Sequence, residues 1–275
     1  MSAPFTLMGV VNVTPDSFSD GGQFLGRDRA IAHGRDLAAE GAEILDVGGE
    51  STRPGADPVP ADEERRRIVP VIEALAADGR ARISVDTMKL DVATAAVDAG
   101  ASYVNDVSAF RHAPGMAALV AERGLECCLM HMRGEPRTMQ DDPRYDDVVA
   151  DVKAFLEARL AFAVAEGVPE ERVHLDPGIG FGKTSEHNLE LLRRLDELAA
   201  IGRPLVVGVS RKGFLGRVTG RARPVDRAIA TAAANVLAFE RGARIFRVHD
   251  VAASRDALAV AAATLARGWP PTTTT

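Results

Sequence analysis

The chain has 275 residues, of which 46% are hydrophobic and 26% are charged, and its formal net charge is −6. This length fits one large α/β domain or two small ones, and the composition provides ample material for a core. Such a composition excludes a disordered chain. The negative charge argues against a general nucleic-acid-binding protein, which usually carries a basic surface.

The sequence offers no sign of a secreted or membrane protein. No charged stretch followed by an apolar run opens the sequence, and no apolar stretch reaches the roughly 18 residues that span a membrane. The two cysteines, Cys127 and Cys128, are neighbours, and adjacent cysteines rarely pair with each other. We therefore expect a cytoplasmic protein without disulfides or membrane contacts, in which both thiols pack in the core.

Short apolar runs rich in β-branched residues recur, each followed by a turn and then a helical pattern. The predicted strands are Leu7–Val13, Glu43–Val47, Arg82–Asp86, Tyr103–Val107, Leu125–Met130, Val173–Asp176, Leu205–Val209 and Ile245–Val248. The clearest predicted helices are Asp62–Ala77, Asp146–Glu166, Glu186–Ala200, Asp226–Arg241 and Ser254–Ala266. Glycine follows several of these helices, as is typical of the left-handed residue past a helix C-terminus.

This alternation predicts an α/β protein of the (β/α)8 TIM barrel class, because eight strand–helix units fit a chain of about 270 residues. A doubly wound open sheet is the alternative. No linker or break in composition divides the chain, so we expect a single domain over residues 1–268. Residues 269–275, which contain two prolines and four threonines, are predicted to form a disordered tail.

Polar residues mark the ends of six predicted strands or the turns directly after them. An isolated Asp or Asn at a strand end is often only a cap or turn residue. In a barrel, however, the C-terminal strand ends meet at one mouth, where active sites lie. Polar residues at six ends around one mouth therefore indicate a functional site. They are Asn12, Asp86, Asn105, Asp176, Lys212, and the pair Arg247 and His249.

Part of this set favours an anion site. Arg247 and His249 share one face of the last strand, and Lys212 and Asn12 lie on the strands that adjoin it in a closed barrel. Phosphates often bind in the loops after strands seven and eight of this architecture. The helix predicted to open near Ser254 would add its N-terminal dipole. A buried salt bridge between Arg247 and Asp46 is the alternative interpretation.

The remaining polar ends favour a ligand rich in N–H donors. Asp86, Asn105 and Asp176 place two carboxylates and an amide around one pocket, which suits an aminated heterocycle. A metal ion bound by Asp86 and Asp176 is the competing hypothesis, although the sequence has no clustered His/Asp set at ligand spacing.

Two glycine patterns resemble nucleotide-binding motifs but do not match them. Gly182-Lys183-Thr184 resembles the end of a P-loop, but the glycine required five residues earlier is Pro177. Residues 178–182 do not form the G-x-G-x-x-G dinucleotide fingerprint either. We expect these glycines to let the backbone approach a flat ligand, with Phe181 at its edge.

Two long turn segments, Thr14–Gly26 and Gly48–Pro60, follow the first two strands. Long loops in compact domains are often lids, and a solvated connection is the alternative. Thr52 and Arg53 favour an anion-binding role for the second loop.

These motifs together resemble those of the dihydropteroate synthase family, the folate-pathway enzymes that sulfonamides inhibit. The matching segments are MGVVNVTPDSFSDGG (8–22), DVGGESTRPG (46–55), SVDT (84–87), NDVS (105–108), LMHMRG (129–134), DPGIGFGK (176–183), SRK (210–212) and RVHD (247–250). They occur in order over essentially the whole chain.

The resemblance implies a (β/α)8 barrel that joins 6-hydroxymethyl-7,8-dihydropterin diphosphate to p-aminobenzoate, releasing pyrophosphate and 7,8-dihydropteroate. It further implies a homodimer and Mg²⁺ as cofactor, with Asn12 as the metal ligand. The residues that it implies hold the pterin are Asp86, Asn105, Met130, Asp176, Phe181 and Lys212. Arg247 and His249 would hold the diphosphate with Asn12, while Asp16, Thr52 and Arg53 would close over p-aminobenzoate. The implied catalytic residues are Asp86, Lys212, Arg53 and Asp16.

Two other functions stay open at this point. One is a paralogue that binds pterin without turnover, and the other is a pterin-dependent methyltransferase. The methyltransferase would not need Thr52 and Arg53 or the Arg247 and His249 pair. The sequence also departs from the family at Gly213, where many members have a hydroxyl residue that helps to hold the p-aminobenzoate carboxylate.

Overall fold

The strands close into a barrel. The computed structural model describes residues 4–13, 22–52 and 55–266, with side chains from residue 26 onward in the second range. Within these ranges, parallel strands pair in sequence order and the last pairs with the first. The strands are β1 (Thr6–Asn12), β2 (Ile44–Gly48), β3 (Arg82–Asp86), β4 (Tyr103–Asp106), β5 (Glu126–Met130), β6 (Val173–Asp176), β7 (Leu205–Val207) and β8 (Ala243–Val248). The predicted TIM barrel is confirmed, and the open sheet is wrong.

Helices surround the barrel and return the chain from each strand to the next. They are α1 (Gly22–Glu40), α2 (Ala61–Asp78), α3 (Leu90–Asp98), α4 (Gly115–Glu122), α5 (Val148–Ala165), α6 (Ser185–Arg193), α7 (Leu195–Ala199), α8 (Gly213–Thr219), α9 (Ala228–Glu240) and α10 (Val251–Leu265). No helix within the described ranges is long and apolar enough to cross a membrane. The predicted tail, residues 269–275, lies outside them.

The strands bury both faces, which explains their nearly continuous apolar runs. Outward-facing residues such as Leu45 and Val47 belong to the large core between barrel and helices. The side chains that face inward, at every second position of a strand, fill the barrel itself. The cluster at the bottom of the barrel consists of Met8, Ile44, Tyr103, Cys128, Val206 and Ile245. Cys127 and Cys128 are both buried and unpaired, which confirms the prediction of core packing.

Three of the predicted helices differ from the observed ones. The helix expected over Glu186–Ala200 divides into α6 and α7 because Arg194 leaves the helical region, with φ −111° and ψ 31°. Its guanidinium instead binds Asp147, the N-terminal cap of α5, at 3.0 Å. The helix expected at Asp226 begins with a 3₁₀ turn at Pro224, a residue that favours a first helical position.

The last helix begins at Val251, three residues before the expected start at Ser254. Ser254 is 1% exposed and lies within α10, where its hydroxyl accepts a hydrogen bond from Asn235. The N-terminus of α10 is therefore one turn closer to the end of β8 than the sequence predicted.

Candidate functional site

The polar residues predicted at the mouth do lie together on the inner faces of the strands. Asn12 is the register partner of Gly48, Gly48 of Asp86, and Asp86 of Asn105. Asp176 lies beside Met130 on the far side of the barrel. This ring stands directly above the apolar cluster at the barrel bottom, so one end of the interior is polar and the other is not.

A fully buried carboxylate organises one side of the mouth. Asp46 has no exposed surface, and its side chain accepts three hydrogen bonds. Ser84 Oγ donates at 2.6 Å, Asn105 Nδ2 at 3.0 Å and Arg247 Nε at 2.6 Å. Because Nδ2 of Asn105 is used in this way, its Oδ1 is left to act as an acceptor.

Arg247 lies between two carboxylates. Its Nη2 donates to Asp86 at 2.7 Å, while its Nε donates to Asp46. Burial disfavours the guanidinium charge, but Asp46 and Asp86 outweigh burial and raise the pKa of Arg247. The salt bridge considered as an alternative is therefore present, in a form that also holds a predicted site residue.

Asp86 is a buried carboxylate with a strongly displaced pKa. Burial raises the pKa of Asp86 to about 7, against the opposing charge of Arg247 and with help from the nearby negative charge of Asp46. Carboxylates with pKa values displaced this far cluster at functional sites. Burial thus makes the ionised form of Asp86 costly, and a positive charge beside it stabilises that form.

Asp176 and Lys212 face each other on the opposite side of the mouth. Burial raises the pKa of Asp176, against the opposing charge of Lys212. Burial lowers the pKa of Lys212 to about 8, with Asp176 opposing the change. The Lys212 ammonium donates to the carbonyl oxygen of Ile179, so it is held at the pocket edge.

A glycine-rich wall, residues 178–182, follows β6 and adjoins this pair. Lys212 Nζ lies 4.6 Å from the centre of the Phe181 ring, a cation–π distance. Met130 and Phe181 belong to one apolar cluster. The backbone at Gly178 has φ +66° and that at Gly182 has φ +63°, conformations that favour glycine. This geometry is consistent with the prediction that the glycines let the backbone approach a flat ligand.

His249 and the turn after β7 complete the predicted anion-binding side of the site. Ser210 Oγ accepts from the His249 backbone N–H at 3.1 Å and lies 2.9 Å from its ring Nδ1. Arg211 pairs with Asp250, the residue that precedes α10, at 2.5 and 2.9 Å. Arg211 is therefore occupied, while Lys212 faces Asp176 in the mouth.

The second loop is anchored where it leaves β2. The Lys89 ammonium bridges Glu50 and the fully buried Glu64, and Arg67 Nη1 donates to Gly49 O at 2.9 Å. Thr52 follows this anchor and is half-buried. Asp16, Arg53 and most of the first loop lie outside the described residues.

The competing hypothesis of a metal held by Asp86 and Asp176 finds no support in the described side chains. No group of three or more His, Cys, Asp or Glu residues among them could hold a metal ion. Moreover, one oxygen of Asp86 accepts from Arg247, and one oxygen of Asp176 accepts from Gly178 N at 2.6 Å.

From the sequence, Asp46 was expected only as a possible ion-pair partner of Arg247, and Ser84 had no assigned role. The available signal was a single acid within ILDVG, a strand in which all five residues are buried. An ionisable residue is rarely buried unless it is paired, so Asp46 had to serve the interior of the barrel.

Comparison with known proteins agrees with this geometry. The sequence profile described as "Pterin binding enzyme" matches residues 8–249. The chain is 51% identical to the dihydropteroate synthase of Mycobacterium leprae, over 97% of this chain and 95% of that one. The chain belongs to the dihydropteroate synthase family of pterin-binding enzymes.

Solved structures show the same similarity. The dihydropteroate synthase of Xanthomonas albilineans with 4-aminobenzoic acid has a TM-score of 0.90 and 50% identity, covering 96% of this chain and 94% of that one. The same organism's enzyme in complex with 7,8-dihydropteroate has a TM-score of 0.87 and 47% identity, with the same coverage. Both likenesses extend over the whole barrel.

Proposed function

We propose that the polar ring at the barrel mouth carries out the dihydropteroate synthase reaction. In it, 6-hydroxymethyl-7,8-dihydropterin diphosphate and p-aminobenzoate form 7,8-dihydropteroate and pyrophosphate. The observation that supports this most strongly is the pairing of two opposite chemistries in one pocket. Buried carboxylate and amide acceptors line the pocket, and the cationic groups Lys212 and Arg247 lie next to them.

The acceptors suit the pterin ring. Asp176 and the Oδ1 of Asn105 present oxygen to the ring's N–H and amino groups, while the Lys212 ammonium can donate to its carbonyl oxygen. Phe181 and Met130 provide the apolar surface for the flat faces of the ring. Removing a polar partner from such a pocket costs more than its hydrogen bond gives, so the pocket selects a ligand that pairs every group.

The diphosphate is assigned to Asn12, Arg247 and His249. Arg247 has five N–H donors, and the two that bind Asp46 and Asp86 leave others for phosphate oxygens. The half-buried side chain of Asn12 ends β1 beside this group. Mg²⁺ is commonly held by one or two protein oxygens together with substrate phosphates, and the Asn12 carboxamide fits such a site. When bound there, Mg²⁺ supplies charge neutralisation to the leaving pyrophosphate.

Asp86 is assigned the central catalytic role. Cleavage of the C–O bond to pyrophosphate leaves a cation delocalised over the pterin, and a buried carboxylate stabilises positive charge strongly because the site excludes water. Lys212 fixes the ring so that its reactive carbon stays near Asp86. The arylamine nitrogen then forms the new C–N bond and loses a proton, so no covalent bond to the enzyme is required.

Thr52 is assigned to the p-aminobenzoate site together with Arg53 and Asp16, by their places in the family motifs. Lys89 fixes the point at which the second loop leaves β2, through Glu50 and Glu64. Loops that close over a substrate exclude water from the reaction, and this anchor fixes the point from which the second loop would do so.

A homodimer through α9 and α10 and a cytoplasmic location complete the proposal. Large apolar side chains on these adjacent helices are exposed, including Ile229 at 86% and Val260 at 68%. Surfaces of this kind mark protein interfaces, and a second copy of the chain would cover both helices by two-fold symmetry. Light scattering of the wild type should give twice the chain mass, and Ile229→Glu should reduce it to the monomer mass; a monomeric wild type would contradict the dimer. The two buried, unpaired thiols suit the reducing cytoplasm.

One assay separates the synthase from a pterin-binding paralogue. Purified protein, pterin diphosphate, p-aminobenzoate and Mg²⁺ are mixed, and pyrophosphate and dihydropteroate are measured. We expect both products in equal amounts. Pterin binding by calorimetry without product would favour the paralogue, and omission of Mg²⁺ with unchanged rate would remove the metal from the proposal.

A further inference from the structure

Lys183, the lysine of the run that resembles a P-loop, is buried. The chain has only four lysines against 29 arginines, and Lys183 is 2% exposed. A lysine is almost never fully buried unless its charge is compensated. The groups around its amino nitrogen therefore indicate what it does.

The amino nitrogen of Lys183 has three close polar neighbours. Nζ lies 2.9 Å from Gly178 O, 3.0 Å from Phe181 O and 2.8 Å from His131 Nδ1. Burial, followed by the charge of Lys183, lowers the pKa of His131 to about 2, so its ring is neutral. Burial also lowers the pKa of Lys183 well below its usual value, against the opposing charge of Asp176. In either protonation state Nζ has at least two N–H donors for the two carbonyl groups, and its third contact, with His131 Nδ1, reaches the residue that follows β5.

The two carbonyl groups belong to the wall against which the pterin is proposed to lie. Every carbonyl group of residues 178–182 accepts a hydrogen bond from a side chain, and Lys183 supplies two of the five. The others come from Lys212 to Ile179, from Gln140 to Gly180 at 2.7 Å, and from Tyr145 to Gly182 at 2.7 Å. Side chains thus hold the backbone of the whole wall.

Lys183 also connects this wall to the strand beside it. His131 directly follows β5, and its ring packs edge-on against Phe155 of α5, with centroids 4.9 Å apart. The wall is therefore fixed to a rigid part of the barrel through one buried amino group. Arginine would not serve, because its planar fork does not match three partners gathered around one point.

We infer that Lys183 is a positioning residue for the pterin. It holds the 178–182 wall so that the Phe181 ring and the Ile179 carbonyl group are correctly placed for the pterin. The Ile179 carbonyl group in turn positions Lys212. It touches neither substrate. This inference rests on the proposed role of the wall in binding the pterin.

The test is Lys183→Met, which keeps the length of the side chain and removes its N–H donors, compared with Lys153→Met on α5. We expect KM for pterin diphosphate to rise and kcat to fall, with kcat/KM lower by about 10²-fold because misplacement near 1 Å has such an effect. KM for p-aminobenzoate should be unchanged, and Lys153→Met should behave as wild type.

The two KM values distinguish positioning from mere stability. A loss of folded protein lowers kcat in proportion to the active fraction and leaves both KM values intact; that result, or wild-type kinetics in folded Lys183→Met, would overturn the inference. Inactive wild-type enzyme would instead defeat the proposed function.

A measurement on the wild type serves if Lys183→Met does not fold. Protein is labelled with ¹⁵N at lysine Nζ, and the Lys183 signal is assigned by elimination with Lys89→Met, Lys153→Met and Lys212→Met. We expect the Lys183 signal to exchange slowly with solvent and to shift when pterin diphosphate is added. A Lys183 signal that exchanges rapidly, or one indifferent to the pterin, would contradict the assigned role.

Discussion

The barrel interior has a lower, apolar layer and an upper, polar and charged layer, and both are built on the same strands. Ile44, Tyr103 and Ile245 lie in the lower layer. Two residues further along the same strands, Asp46, Asn105 and Arg247 face the same interior. Because side chains alternate along a strand, a step of two keeps the direction and changes only the height.

The difference separates stability from chemistry. The lower layer is apolar apart from the Tyr103 hydroxyl, which pairs with His174 Nδ1 at 2.9 Å, and its burial contributes to folding. The upper layer concentrates buried charges, whose desolvation costs free energy unless they are paired. The protein therefore places its reactive groups at the mouth, above a layer that contributes to folding and does not contain them.

The largest effect is expected in the upper layer, from Asp86→Asn. This change should lower kcat by about 10²–10³-fold, the loss typical of removing one preorganised charge-stabilising group, with little change in pterin affinity. Its midpoint of thermal unfolding should not fall, because burial already disfavours the Asp86 charge. Steady-state kinetics and calorimetry measure these quantities, with Asp98→Asn on the exposed face of α3 as control. Equal losses in kcat and pterin affinity would count against cation stabilisation.

In the lower layer, Ile44→Ala should instead reduce stability and leave catalysis intact. The cavity should lower the free energy of unfolding by about 2–5 kcal/mol, while the folded enzyme keeps its kcat. Denaturant unfolding and active-site titration check the two statements. A large loss of kcat per folded molecule would show that the layers are coupled.

The pH profile should report the upper layer alone. Asp86 must be ionised and Lys212 protonated, so kcat/KM for pterin diphosphate should rise through about pH 7 and fall above about pH 8. Lys212→Arg should move the alkaline limb upward, since arginine stays charged. An unchanged alkaline limb in that variant would assign it to another group.

The smallest effect is expected at the rim, from Gly213→Ser. No atom lies within 4 Å of the position that a side chain would occupy there, so the change should fit. A hydroxyl that reaches the p-aminobenzoate carboxylate adds about 0.5–1.5 kcal/mol, which lowers KM for that substrate by about 2–10-fold. Gly220→Ser, placed at φ +70° at the end of α8, is the destabilising control. An unchanged KM would place the carboxylate elsewhere.

The sequence predicted the barrel and most of the polar ring because both depend on local patterns. Alternation along β8 placed Arg247 and His249 on one face, and glycines marked the helix ends. It offered the Arg247–Asp46 salt bridge only as an alternative and did not predict that Arg247 would also bind Asp86, because these residues come from β8, β2 and β3 and meet only when the barrel closes.

The helix break at Arg194 escaped prediction for the same reason, since its partner Asp147 lies on another helix. The burial of Lys183 also depends on a distant partner, His131, that no local pattern links to it. In each case the deciding contact is between residues far apart in the chain.

The wall of residues 178–182 has a consequence for how readily this enzyme can change. Any missense mutation of Gly178 adds a side chain that would overlap the carbonyl oxygen of His131, and one at Gly182 would place its Cβ 2.5 Å from Arg133 O. An inhibitor resting on the backbone at Gly178 and Gly182 would contact positions that can hardly accept another residue. Resistance by substitution therefore has few viable routes at these two glycines.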